Sequence, residues 1–483
     1  MGRPLAASWQ TALFFLSLVA IYNSNGREIG SYDSQPAKFA ALAVAERGSM
    51  TLDPLIQRVP QYAERSAFAR DRSGHYRSAY SPVPILFGGV TAWILTKAFR
   101  VDLEAPLAAN LVAALTASLM TAGAVVMVFL TLQAMTRTST AWWVAIGLGL
   151  GTNYWGMVSR TLGQHESVAL GLALTVFAWT RPAAELRALP RWLGAAGLAI
   201  AATARLQTVP IAFVLLAGLL RRVGWRAALP PAAFVAAAVL ALAALQQYWF
   251  GNPLGAVPQL ESLHPTIHAV TGSVSAAPWI GAAGLLVSPS RGLFIYSPVV
   301  LIALAGMVTG TPASRDRGIG WLGAAAVVEF CVYAAYSVWW GGHTFGPRYL
   351  LDVLVLLTPS AAIALETILR SRLRRAACAL ALGWSLVVSG TGAFFSDPWN
   401  TSPDDVDRHH ERLWDWRDPQ ILRAWHAGLS PQNFSLFDRA SVRKVSLRSL
   451  LRSRRFIETP FCFVKTKQPP TATQGHRINI ASP

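Results

Sequence analysis

The chain has 483 residues, 53% of them hydrophobic and 14% charged, with a mean hydropathy of +0.38. An ordinary soluble domain carries about 25% charged residues, so this composition argues against a soluble protein, and its apolar content and three cysteines exclude disorder and a disulfide framework. The 42 basic and 24 acidic residues give a net charge of +18, but the arginines punctuate apolar runs instead of forming one stripe, which speaks for a multi-pass membrane protein and against a nucleic-acid partner.

Apolar runs that read as spans lie near residues 8–23, 106–134, 140–158, 167–180, 193–204, 207–220, 227–248, 293–309, 318–338, 349–368 and 376–395. A span needs about 20 apolar residues, with about 17 as the lower bound, so the runs at 167–180, 193–204 and 207–220 must borrow flanking residues. The first run follows Arg3 and no small-residue cleavage site comes after it, so an uncleaved span is expected. Residues 1–395 read as a membrane domain with two long loops, 24–105 and 249–292, followed by a polar tail from 396 to 483. Within the first loop, Pro36 to Gly48 predicts a helix, with Pro near its start and Gly as its stop. Phe39, Leu42 and Ala43 share one face while Lys38, Glu46 and Arg47 are polar, the pattern of a helix lying at a membrane surface.

The segment 81–99 decides the topology. Pro82, Pro84 and the pair Gly88-Gly89 weaken a straight spanning helix, so a juxtamembrane or re-entrant segment is expected. The arginine clusters agree. Arg181/Arg187/Arg191, Arg221/Arg222/Arg226, Arg315/Arg317 and Arg370/Arg372/Arg374/Arg375 fall on one side if each run crosses once, and Arg137 joins them. Arg3 joins only if 81–99 does not cross. Lysine and arginine are retained in cytoplasmic loops. The expectation is therefore an all-α, polytopic helical protein of about eleven spans in the inner (plasma) membrane, N-terminus cytoplasmic. Both long loops, the turns 159–166 and 339–348, and the tail then share the outer face.

Ionisable residues gather on that face. Asp33 faces water where a general base could meet a lipid-borne substrate; alternatively it, or Ser34, caps the helix beginning near Pro36. Arg160 and His165 suit phosphate binding or proton transfer, or else rest at headgroup level. Arg291, in Ser288-Pro-Ser-Arg-Gly292, suits an anion site at the mouth of a span or an ordinary turn. Trp339, Trp340 and Tyr349 fit an interfacial aromatic belt, and Arg348 between them suits a lipid phosphate or only snorkels. Glu329 lies mid-run with no evident partner, either functional or protonated and structural. Walker, GxGxxG, GxSxG and Cys–His metal patterns are missing from suitable contexts, which removes support for ATP-driven transport and serine hydrolysis.

Several of these segments together resemble the C-type bacterial membrane glycosyltransferases, relatives of the dolichyl-phosphate-mannose protein mannosyltransferases and the lipid A aminoarabinose transferase. The resemblance covers roughly residues 10–425. It rests on the acidic residue after the first span, the helix that follows, the approach Gly74-His-Tyr-Arg-Ser-Ala-Tyr-Ser-Pro-Val-Pro84, and the Ser-Pro-Ser-Arg-Gly-Leu-Phe and Trp-Trp-Gly-Gly…Gly-Pro-Arg-Tyr segments. It implies a helical bundle with an outward-facing cavity. It also implies inverting transfer of a sugar from a polyprenyl-phosphate donor to an extracytoplasmic glycan, lipid or protein acceptor. Asp33 would be the general base, Arg291, Arg348 and Arg160 would hold the lipid phosphate, and Tyr32, His165, Tyr76, Arg77 and His343 would surround the substrate. No cofactor is certain; a divalent cation is one option. The chain departs from its relatives in carrying a single carboxylate in Tyr32-Asp33-Ser34, and offers Gln164-His165-Glu166 for the second. A lipid or polysaccharide-precursor transporter or flippase, and a non-catalytic lipid-binding membrane partner, are the other two readings.

Overall fold

The computed structural model describes residues 8–256, 274–275, 277–308 and 312–437. Expectations that rest on Arg3, on Cys462 or on the tail beyond 437 fall outside the described residues. The chain is helical. Its one sheet among the described residues is a two-stranded antiparallel hairpin in the first loop, β1 Phe68–Arg70 and β2 Tyr76–Ser78, in the register Phe68↔Ser78 and Arg70↔Tyr76.

The described α-helices of six or more residues, in chain order, are α1 Ser8–Asn23, α2 Gln35–Arg47, α3 Asp53–Arg58, α4 Pro82–Phe99, α5 Ala108–Gln133, α6 Thr138–Leu150, α7 His165–Trp179 and α8 Ala188–Ala204. Then follow α9 Val209–Val223, α10 Trp225–Phe250, α11 Pro278–Val287, α12 Leu301–Val308, α13 Ile319–Ala334, α14 Leu351–Ile368, α15 Arg372–Phe394 and α16 Gln420–Ala427. Six helices among the described residues are long and apolar enough to cross a membrane, and five shorter apolar helices accompany them. Two expected spans take a different form. The run 140–158 is a helix only to Leu150, and a single π-helical turn at Tyr154–Val158, closed by the Ser159 N–H on the Tyr154 carbonyl (3.0 Å), completes it. The run 293–309 breaks at Ser297, because Pro298 lacks the N–H that would continue the helix, and it resumes as α12. Conversely, the expected outer loop 249–292 contains an apolar helix, α11, which packs against the end of α13 so closely that Gly281 meets the Ala334 carbonyl with no room for a Cβ.

Contacts between helix ends define two faces. Asn23 at the end of α1 donates to Ser118 of α5 (2.8 Å) while Phe14 meets Phe129, so the two helices run antiparallel and the start of α5 lies on the face of the first loop. At the other face Arg222 donates to the carbonyls of Trp179, Arg181 and Asp316, Arg317 donates to that of Thr180, and Arg137 pairs with Glu366. The arginine clusters of the short connections thus collect at one end of the bundle, capping the C-terminal carbonyls of α7.

Helix α4 belongs to the first face at both ends. Ser81 donates to the Thr203 carbonyl at the end of α8, and Leu95 joins the cluster of Val112 and Ala113 at the start of α5. Along its length it packs on α2. It is one unbroken helix, not a re-entrant one: Pro82 and Pro84 occupy its first turn, where no N–H is needed, and Ser81 caps it. Gly88 and Gly89 do not weaken it but admit α2, since a Cβ on Gly88 would strike Ala41 at 2.7 Å and one on Gly89 would strike Val44 at 2.7 Å. α2 runs as expected and stops at Gly48, whose φ of +65° needs glycine. Its Lys38, expected on a water-facing side, is buried instead and reaches Glu28 (3.0 Å) and Asn110 (2.7 Å).

The described part of the tail is no separate domain. Phe395 pairs with Leu429, and the N–H groups of Phe434 and Leu436 donate to Asn25 and Gly26. Close packing predicts one sensitive position: Gly306 of α12 abuts the Ser360 carbonyl of α14, leaving no space for a methyl group. Gly306→Ala is expected to destabilise the protein by about 1–3 kcal/mol, read as a lower thermal midpoint in detergent against an unchanged midpoint for Gly320→Ala, where the space is open.

Candidate functional site

Asp33 lies in the single turn Tyr32–Ser34 that joins the first apolar helix to α2. It does not cap α2, which has no side-chain cap. Both its oxygens face sideways instead: the Tyr80 hydroxyl donates to Oδ1 (2.9 Å) and Arg348 Nη2 donates to Oδ2 (2.7 Å). Tyr80 arrives from the turn before α4. Arg348 arrives from the turn before α14, where Gly346 has φ +71° and a Cβ would strike Tyr296 and Asn153 at 2.5 and 2.7 Å. Only glycine lets the chain pass there and deliver Arg348.

A polar chain continues inward from Arg348. Its Nε reaches His165 Nε2 (3.4 Å), His165 Nδ1 meets Asp352 Oδ1 (2.8 Å), and Arg205 Nη1 donates to Asp352 Oδ2 (2.6 Å). A guanidinium only donates, so Nε2 accepts and Nδ1–H is assigned toward Asp352. The Tyr333 and Tyr349 rings, stacked 4.5 Å apart, flank Arg205 at 5.3 and 5.5 Å. Charges therefore alternate from Asp33 through Arg348 and Asp352 to Arg205, with each buried charge paired, as burial requires.

A cleft with about 530 Å³ of empty space, part of it open to solvent, lies beside Asp33, lined by Tyr80, Thr161, His165, Glu166 and Arg348 among others. Asp33 keeps 32% of its side chain exposed and Arg348 19%. Burial alone would raise the Asp33 pKa, but the charge and hydrogen bond of Arg348, the Tyr80 hydrogen bond and the field of Arg205 outweigh it and hold the carboxyl below its usual range. Burial and the Asp33 charge together push the Tyr80 hydroxyl well up, so it remains a neutral donor. Burial opposes charge on Arg348, yet Asp33 and Tyr349 hold it protonated. Glu166 is buried at the cavity wall, and its Oε1 has no hydrogen-bond partner among the described residues. A second, almost wholly apolar cleft, with about 490 Å³ of empty space that includes open solvent, lies between α6, α12 and α14 and is lined by no ionisable group.

The structure brings together Asp33, His165 and Arg348 of the expected set. Arg160 is fully buried and binds the Tyr22 carbonyl and Asn25, so it fastens the end of α1 and neither snorkels nor lines the cavity. Arg291 is fully buried too. Its five N–H groups go to the carbonyls of Trp340, Ser290 and Gly342 and to the side-chain oxygens of Gln420 and Asn400, which leaves no donor for a phosphate. Tyr32 accepts from the Ser66 N–H (2.8 Å). Tyr76 and Arg77 serve the hairpin, Tyr76 accepting from Arg70 and Arg77 pairing with Asp71 (2.7 Å) over the Trp249 ring. His343 meets Asp405 and Asp407 of the tail. Tyr80, Arg205 and Asp352 were not singled out by sequence. A signal existed for two of them: an ionisable residue at the edge of an apolar run marks a functional position, and Arg205 and Asp352 both stand there.

No protein-family model and no curated protein matches the chain.

Proposed function

We propose that the chain is an integral membrane glycosyltransferase that moves a sugar from a polyprenyl-phosphate donor to an extracytoplasmic acceptor, across a bundle of about eleven spans with the Asp33 face outward. The observation that carries this reading is the pairing of one water-accessible carboxylate, Asp33, with one cavity-facing arginine, Arg348, at the ends of apolar helices.

In a polyprenyl-phosphate sugar the bond from the anomeric carbon to the phosphate oxygen breaks and the polyprenyl phosphate departs as a monoester, which needs no protonation. One base and a cation on the phosphate then suffice, unlike the two carboxylates of a glycosidase. In the free protein Arg348 is held by Asp33. An arriving phosphate competes for the same guanidinium, and each share of Arg348 that it takes returns basicity to Asp33. Donor binding thereby readies the base to accept the proton of an acceptor hydroxyl that attacks the anomeric carbon from the opposite side. His165, held by Asp352 and Arg205, keeps Arg348 in place. The reading is tested by mass spectrometry of lipid extracts from cells lacking the protein, where a polyprenyl-phosphate sugar should accumulate and disappear on complementation. No such lipid in any strain would defeat it.

The arginine also sets a pH dependence. With Arg348 present, Asp33 stays ionised below the ordinary value of about 3.9, so the acid limb of kcat/KM lies below that pH. Arg348→Gln removes the main lowering influence and leaves burial, so the limb should move to higher pH and activity should be lost earlier on acidification. The position of the limb, not its height, is the readout.

One observation favours a second reading. Glu329 of α13 is fully buried, beside Tyr333 and within the field of Arg205. A carboxylate at such depth fits ion-coupled movement of a lipid precursor. That reading requires Glu329→Gln to abolish function while Asp33→Asn preserves it.

A further inference from the structure

A second polar cluster stands outside the Asp33 cavity. His343, in the turn between α13 and α14, presents Nε2 to Asp405 Oδ1 at 2.9 Å and to Asp407 Oδ2 at 3.4 Å, and the three ligand atoms all lie within 4.8 Å of one another. Two ligands bound to one ion at about 2.1 Å stand about 3.0–3.4 Å apart at octahedral to tetrahedral angles, so the spacings to His343 are those of a coordination edge. All three side chains are partly exposed, which leaves an entry path and room for water to complete the shell.

Two features prepare the cluster from outside it. The Trp340 indole N–H donates to Asp407 Oδ1 (2.8 Å), which fixes that carboxylate with Oδ2 turned toward His343. Arg291 holds the carbonyls of Trp340 and Gly342, immediately before His343 in the same turn, and the Asn400 side chain, five residues before Asp405. The two segments, more than 60 residues apart in sequence, are thereby held face to face without help from the cluster itself. An anchored second shell of this kind is what orients metal ligands.

We propose that His343, Asp405 and Asp407 bind one first-row divalent transition ion, with zinc the best match to one imidazole and two carboxylates. One imidazole disfavours magnesium and calcium, which take oxygen ligands. The bound ion clasps the tail segment 405–407 to the turn that carries Arg348 five residues further on. The site is independent of the reading of Asp33.

The test uses the full-length, tag-free protein in detergent, stripped with EDTA and titrated with zinc sulfate. About one zinc per chain is expected. His343→Ala and the double variant Asp405→Asn/Asp407→Asn should weaken binding at least ~100-fold, and Trp340→Phe, which touches only the outer shell, by about 10-fold, with millimolar magnesium failing to compete. Zinc should also slow proteolysis between residues 396 and 437 in the wild type, reversibly with EDTA, a readout that does not depend on any variant folding. Wild-type protein that takes up no zinc, uptake unchanged in His343→Ala, or a tail indifferent to zinc would each overturn the proposal.

Discussion

Asp33→Asn is expected to lower the rate of sugar transfer by about 10²–10⁴-fold, the usual contribution of a positioned general base, while leaving donor binding nearly intact. Asparagine keeps the shape: its one carbonyl oxygen can accept from Arg348 while its amide N–H donates to the Tyr80 hydroxyl, so the turn Tyr32–Ser34 and the approach of α4 should persist. What it cannot do is take a proton. The amide also lacks the charge that holds Arg348, so the guanidinium becomes freer for the phosphate and donor affinity should rise slightly, not fall. This split distinguishes a base from a structural ion pair: loss of a merely structural contact would lower stability and affinity together. The measurement is turnover and donor binding of the purified variant, alongside the lipid profile of complemented cells. An Asp33→Asn protein that restores the wild-type lipid profile would remove Asp33 from the chemistry.

Asp352→Ala should produce the largest loss of stability, about 3–5 kcal/mol, because it strands a buried cation. Asp352 is almost inaccessible and holds both His165 and Arg205, and Arg205 has no other ionic partner among its hydrogen bonds in the described residues. The double variant Arg205→Met/Asp352→Leu removes both charges and should recover much of the loss, since a well-packed apolar pair often equals a buried ion pair. Thermal midpoints of the two singles and the double give the coupling energy directly. A recovered fold with lost transfer activity would show that the pair is retained to position His165 and Arg348, not to stabilise the bundle. Additive losses would mean that the two residues do not depend on one another.

Local sequence made much of the architecture legible. Apolar runs predict helices because a segment that must bury its whole surface needs its backbone hydrogen bonds satisfied within itself. The helix ending at Gly48 was equally legible, since only a left-handed residue closes it. The prolines and glycines of 81–99 were read as weakness, whereas they mark a first turn and a close helix crossing in an unbroken helix. The breaks at Leu150 and Ser297 carry local signals, Gly151-Thr152-Asn153 and Ser297-Pro298, which the apolar stretches on either side outweighed when the runs were read as single spans.

The site was only partly legible, for a reason visible in its arginines. Arg160, Arg291 and Arg348 all sit in short polar turns at helix ends, and sequence treats them alike. Tertiary structure separates them by what each meets: Arg291 finds Gln420, 129 residues on, and loses every donor to neutral oxygens, whereas Arg348 finds Asp33, 315 residues back, beside open space. By itself the sequence determined a helical chain with several segments apolar enough to cross a membrane, because hydrophobic burial is set by the residues of each run. Which of its polar turns hold an ion pair beside open space, and which merely fasten the chain, depends on partners hundreds of residues away, and only the packing of the helices decides it.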